Sequence, residues 1–98
     1  MPFEKELYQR IDEVMHYLWD PIGVSGVPQA RDEYDNYLVH LLGMLLRYED
    51  QQSISAYLNK VEGEYMGLTP NKDKADEVAD VLIRWRDALK EKYSNNIA

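Results

Sequence analysis

The chain has 98 residues, 45% of them hydrophobic and 30% charged, which suits one small globular domain whose single core takes in most of the apolar side chains and argues against disorder or a fibrous repeat. Eighteen acidic residues against eleven basic give a net charge of -7, which repels nucleic-acid backbones and anionic membrane surfaces. The absence of cysteine excludes disulfides, thiolate metal sites and thiol nucleophiles.

The first residues, Met1 to Glu6, carry charge where a signal peptide needs an apolar core, and the longest mostly apolar run, Tyr37 to Leu46, is interrupted by His40 and covers about half a membrane span. A soluble cytoplasmic protein is expected. Leu7, Ile11, Val14 and Leu18, broadened by Met15, lie on one face of a helix over about 3–18, with Glu4, Lys5, Arg10, Asp12 and Glu13 opposite. Pro21, the glycines at 23 and 26, and Pro28 forbid its continuation.

Pro28 fits the first turn of a second helix, predicted over about 28–48, where Asp32 and Glu33 favour the positive end of the helix dipole. Tyr34, Tyr37, Leu38, Leu41, Leu42, Leu45 and Leu46 form its stripe, and Val39 and Met44 extend it, so this helix is expected to be the most enclosed. Asp50 is a plausible N-cap for a third helix over about 51–66, whose face is Ile54, Tyr57, Leu58, Val61, Tyr65 and Met66, with Gly67 as a natural stop. After a turn at Leu68 to Asn71, the positions Ala75, Val78, Ala79, Leu82, Trp85, Leu89 and Tyr93 repeat at helical spacing over about 72–93. That fourth helix is acidic in its first half (Asp73, Asp76, Glu77, Asp80) and basic in its second (Arg84, Arg86, Lys90, Lys92), which complements its dipole. No segment reads as a strand. The expected fold is all-α, one compact four-helix domain with a Pro/Gly-rich loop between the first two helices, in which Leu38, Leu41, Leu42 and Leu45 meet Leu7, Ile11, Leu58, Val78, Leu82 and Trp85.

The stretch whose residues look individually chosen runs from Trp19 to Asp35. Asp20, Asp32, Glu33 and Asp35 are oxygen ligands of the kind a divalent cation requires, yet their spacing matches no metal motif. Structural roles cover each of them: Asp20 before Pro21 suits an Asx-type turn, Arg31 can pair with Asp35, and Asp32 stabilises a helix start. His16 and Asp20, four apart, could form an oriented imidazole, but no serine, cysteine or third ligand accompanies them, so His16 reads as a partly exposed residue at a helix C-terminus and His40 as a helix-flank residue. Most of the eight tyrosines fall on apolar stripes and read as core or core edge. Trp19 differs, because it opens the proline loop and is expected to anchor it. No catalytic residue, cofactor or metal site is predicted.

The blocks Trp19-Asp20-Pro21-Ile22-Gly23 and Asp32-Glu33-Tyr34-Asp35 resemble those of a small bacterial family of unknown function, the YugE-like family, over the first through the fourth helix. Asp20, Pro21, Asp32, Glu33 and Tyr34 match its characteristic positions, whereas the spacer from Val24 to Arg31 is longer and more proline-rich. The resemblance implies a compact all-helical domain and supplies no activity.

The functional expectation is a protein–protein interaction or regulatory module, of the adaptor or toxin-neutralising type, or one that self-associates. Its candidate surface is Trp19, Asp20, Pro21, Ile22, Val24, Val27, Arg31, Asp32, Glu33, Tyr34 and Asp35: the aliphatic residues would supply contacts on a proline-restrained loop and the carboxylates would steer a basic partner. The face of helix four is a second candidate. The alternative is a small-ligand or divalent-metal binding protein, or an enzyme, using the same 19–35 region.

Overall fold

The computed structural model describes residues 2–19, 32–65, 67 and 69–95. Four helices account for most of them: α1 (Pro2–Val14), α2 (Asp32–Leu46), α3 (Gln51–Lys60) and α4 (Lys72–Asn95). No strand occurs among the described residues. The all-α four-helix domain expected from the periodicity is what the chain forms. α1 and α3 do not end in an ordinary turn; each runs into a π-helical turn, Met15–Trp19 after α1 and Val61–Tyr65 after α3.

The helix boundaries have local causes. α3 starts at Asp50, whose backbone is extended (φ -78°, ψ 172°) and whose carboxylate accepts the Ser53 N–H at 2.8 Å, the N-cap geometry its position predicts. That bond holds the Asp50 carboxyl below its ordinary pKa. Asp50→Ala is expected to lower the urea midpoint and Asp50→Asn to preserve it, because asparagine caps as well without charge; equal losses would show that charge rather than capping geometry is what counts there. α4 is capped by Asn71, whose side-chain oxygen accepts the Lys74 N–H at 3.0 Å. Gly67, the expected stop, adopts φ 69°, which glycine tolerates without steric cost.

α2 stops at Leu46, two residues before the predicted end, and the reason is a Schellman closure. Tyr48 takes φ 59°, its N–H donates to the Leu45 carbonyl at 3.1 Å, and the Glu49 N–H donates to the Met44 carbonyl at 3.1 Å. Tyrosine at a left-handed position is unfavourable relative to glycine. Two α4 cations offset this by lying over its ring, the Arg86 guanidinium and the Lys90 ammonium each 4.6 Å from the centroid. Arg86, only 8% exposed, also points a guanidinium nitrogen at the Leu45 carbonyl, 3.5 Å away, so α4 supports the end of α2.

The core gathers Leu7, Ile11, Val14 and Met15 from the first helix, Leu38, Leu41, Met44 and Leu45 from α2, Ile54, Leu58 and Val61 from the third, and Ala75, Val78, Ala79, Leu82 and Leu89 from α4. Three expectations are corrected. α2 is not the most enclosed helix: Val39 is 62% exposed and His40 is exposed beside it, whereas α4 packs along both α1 and α3. Leu42 is only partly buried, and Met44, counted as an extension of the stripe, is a core residue. Trp85 is 36% exposed; it lies at the core edge with the Arg10 guanidinium 5.4 Å from its ring centroid. An apolar stripe as wide as the one on α2 does not say which of its flanks faces inward, and α2 turns its Leu38–Leu41–Met44–Leu45 side to the core.

α1 and α4 are tied near α4's C-terminus, where Glu6 accepts the Tyr93 hydroxyl at 2.5 Å and the Lys92 ammonium at 2.9 Å. α3 and α4 are tied through Asp76, which accepts the Ser55 hydroxyl at 2.5 Å and the Lys72 ammonium at 3.1 Å, while its carbonyl accepts the Gln51 amide at 3.1 Å. The Tyr93 bond, then the Lys92 bond, pulls the Glu6 carboxyl down, and the Ser55 bond followed by the Lys72 bond does the same to Asp76. Carboxyls held below their unfolded values contribute stability that is complete above about pH 4–5 and is lost as pH falls through the folded-state values. Acidification from about pH 5 to 3 is therefore expected to lower the melting temperature, and Glu6→Gln with Asp76→Asn to flatten that slope. An unchanged slope in the double variant would remove these two ties from the account. The Lys92 and Tyr93 protons are held by Glu6, which raises both pKa values, so their contribution is present at neutral pH and lost as pH rises through those raised values.

Candidate functional site

The site that the sequence singles out begins where the chain leaves the first helix. The π-helical turn Met15–Trp19 buries Met15, His16 and Trp19, the last 4% exposed, and leaves Tyr17 69% exposed. The Trp19 indole N–H donates to Glu62 Oε1 at 2.9 Å, and the other carboxylate oxygen accepts the Asn71 backbone N–H at 3.3 Å. Glu62 is itself 4% exposed and stands in the π-helical turn that follows α3. One buried carboxylate thus joins the end of the first helix, the end of the third and the cap of the fourth. π-helical turns shift the register of the side chains that follow them and often occur at functional positions; here two of them meet.

Trp19 is buried and its N–H is held by Glu62, in the π-helical turn after α3; the proline loop it is expected to anchor lies outside the described residues. A buried glutamate after Lys60 and Val61 gives no sequence signal, because its spacing from the α3 stripe places it on the flank of an ordinary helix. Widening the last turn brings it inward.

His16 corrects a second expectation. It is 1% exposed, not partly exposed, and its Nδ1 lies 2.8 Å from both the Asp12 carbonyl and an Asp12 carboxylate oxygen. One partner is thus the acid one turn before it, and the Asp20 considered from the sequence lies outside the described residues. His40 is the exposed helix-flank residue expected, with its ring stacked on Tyr57 at 4.2 Å and 17°.

Asp20, Pro21, Ile22, Val24, Val27 and Arg31 lie outside the described residues, as do the side chains of Asp32, Glu33 and Tyr34. The structure therefore describes the two ends of the candidate surface: Trp19 on one side, and on the other the backbone of α2 from Asp32 with the exposed Asp35 side chain. Asp35 is close enough, with Asp12, to add to the burial that raises the Tyr8 phenol pKa, so the acidic start of α2 runs beside α1. A shallow cleft of about 430 Å³ lies on this side, lined by Glu4, Lys5, Tyr8, Gln9 and Leu42.

Among the described residues, no group of three or more His, Asp or Glu side chains is arranged to hold a metal ion, and no helix is long and apolar enough to cross a membrane. Glu62 has both oxygens engaged by donors and is sealed from solvent, so its observed role is to fasten. Tyr17 is the residue that sequence reasoning missed at this site; it falls outside the Leu7–Ile11–Val14–Leu18 stripe and belongs to no motif, so nothing in the spacing singles it out. Comparison with protein-family models, curated proteins and solved structures finds no match to the chain.

Proposed function

We propose that the protein acts by binding another protein through the segment from Tyr17 to Asp35, as an adaptor, a regulator or a neutralising partner. The observation that carries the reading is the contrast within one turn: Trp19 is buried and bonded to Glu62, while Tyr17, two residues earlier, is 69% exposed. An exposed tyrosine on a fixed support loses little conformational freedom on binding, and tyrosine is enriched among the residues that dominate interface energies. Directly after this support the sequence supplies Ile22, Val24 and Val27, then Asp32, Glu33 and Asp35. The aliphatic residues provide apolar contact, and the carboxylates favour a partner with a basic surface. The net charge of -7 disfavours nucleic acid in that role. The resemblance of the 19–23 and 32–35 blocks to the YugE-like family supports a bacterial setting for this reading.

The test is capture of partners from the source cell by the wild type, by Tyr17→Ala and by Ile22→Asp/Val24→Asp, followed by kinetics with the captured protein. Both variants are expected to lose the partner while keeping the wild-type melting temperature. Asp32→Asn/Glu33→Gln is expected to flatten the fall of the association rate with salt. Retention of the same partner by both surface variants would exclude this segment as the binding surface.

A further inference from the structure

We propose that the outward face of α4 is a self-complementary surface on which two copies of the chain pair antiparallel about a two-fold axis. α4 buries Ala75, Val78, Ala79, Leu82 and Leu89 in the core of its own chain. Beside that face runs a second stripe of Glu77, Val81, Arg84, Trp85, Ala88 and Lys92, which at 3.6 residues per turn falls within about 100° of arc. Glu77, Arg84, Trp85, Ala88 and Lys92 are exposed and Val81 is partly buried. Val81, Arg84, Trp85 and Ala88 line a shallow cleft of about 310 Å³, so the stripe carries an apolar depression between an acidic end and a basic end.

The order along the stripe is what selects the occupant. Read outward from the junction of Arg84 and Trp85, the spacing is the same in both directions: Val81 and Ala88 at equal distance, then Glu77 and Lys92. A two-fold axis through that junction therefore sets Arg84 against the partner's Trp85, Val81 against the partner's Ala88 and Glu77 against the partner's Lys92, each twice, as an isologous interface requires. A parallel pairing would place Glu77 on Glu77 and Lys92 on Lys92. Antiparallel pairing places every charge of the stripe opposite its complement or over an aromatic ring.

The monomer leaves these groups available. The Arg84 side chain is 76% exposed and paired with Asp80 one turn back, and the Lys92 side chain is 54% exposed while bonded to Glu6. Arg10 covers part of the Trp85 ring from the α1 side, and the remainder of the indole stays open to a second chain. Ala88 is small enough for a close approach of two helices at the apolar positions. A contact made by one helix face belongs to the small end of protein interfaces, under about 1,200 Å² in total, so the dimer is reversible and concentration-dependent.

The test is sedimentation equilibrium over a range of concentrations reaching about 1 mM, with far-UV circular dichroism as the check on folding. Wild type is expected to show a monomer–dimer equilibrium, which Ala88→Glu abolishes and which Glu77→Lys alone weakens by about tenfold or more. Lys92→Glu is made with Glu6→Gln, so that the new carboxylate does not face Glu6, and it is expected to weaken dimerisation to a similar extent. Mixing these two charge variants is the decisive arm: a heterodimer restores both charge pairs, one of them reversed, and is expected to form more tightly than either variant does alone. Wild type that stays monomeric to the top of the range, or dimers unaffected by Ala88→Glu, or a mixture no tighter than its components, would each overturn the proposal.

Discussion

Leu41→Ala is expected to destabilise the domain by about 2–5 kcal/mol, and Leu42→Ala by less than half as much. The two leucines are adjacent on α2 and chemically identical, but Leu41 is fully buried among the core side chains whereas Leu42 packs against them from the edge and lines the open cleft beside Tyr8. Truncating Leu41 loses the transfer free energy of its methyl groups and leaves a cavity in the core. Truncating Leu42 leaves a dent that water fills. A loss of this size is a large fraction of what holds a small domain together, so the Leu41 variant is expected to show a strongly reduced urea midpoint with an unchanged slope. Equal midpoints for the two variants would mean that α2 is rotated by a residue from the arrangement described.

The second large effect is expected at the junction of the π-helical turns. Trp19→Ala should cost about 3–5 kcal/mol, because the indole is 4% exposed and its removal both empties a site and withdraws a donor from the buried Glu62 carboxylate. Glu62→Ala acts from the other side: it leaves the buried Trp19 N–H without its acceptor, at about 1–3 kcal/mol, and removes the acceptor of the Asn71 N–H, a residue that water reaches. Thermal melts of the two variants check this. A Glu62→Ala protein as stable as wild type would show that water or another group satisfies those donors and that the carboxylate is dispensable.

The fold was legible because its signals are periodic and local. Leu7, Ile11 and Val14 mark the buried face of α1, Asp50 and Gly67 bound the third helix and its extension, and the α4 positions from Ala75 to Leu89 return at helical spacing; each follows from backbone geometry that the chain carries within a turn or two. What was not legible depends on groups distant in sequence. Trp19 announced itself by its position, but its partner is 43 residues away. His16 was assigned to the wrong environment, and Tyr17 to none, because the periodicity of an ordinary helix does not hold through Met15–Trp19, and a widened turn leaves no mark in composition. Leu42 and Trp85 were taken for central core because they fall on apolar stripes, and a stripe wider than the surface it packs against cannot say which of its edges is left over.

The account turns on the Trp19–Glu62 bond, since the binding surface proposed for residues 17–35 is useful only if its support is rigid. A double-mutant cycle with Trp19→Phe, Glu62→Leu and the pair measures that bond most directly: phenylalanine keeps the ring packing and removes the N–H, and leucine fills the side-chain volume and removes the acceptor. Trp19→Phe is expected to cost about 1–3 kcal/mol in the wild-type background and clearly less when residue 62 is leucine, giving a coupling energy above about 1 kcal/mol. Additive losses, with Trp19→Phe costing the same in both backgrounds, would contradict the claim that this bond fastens the stem.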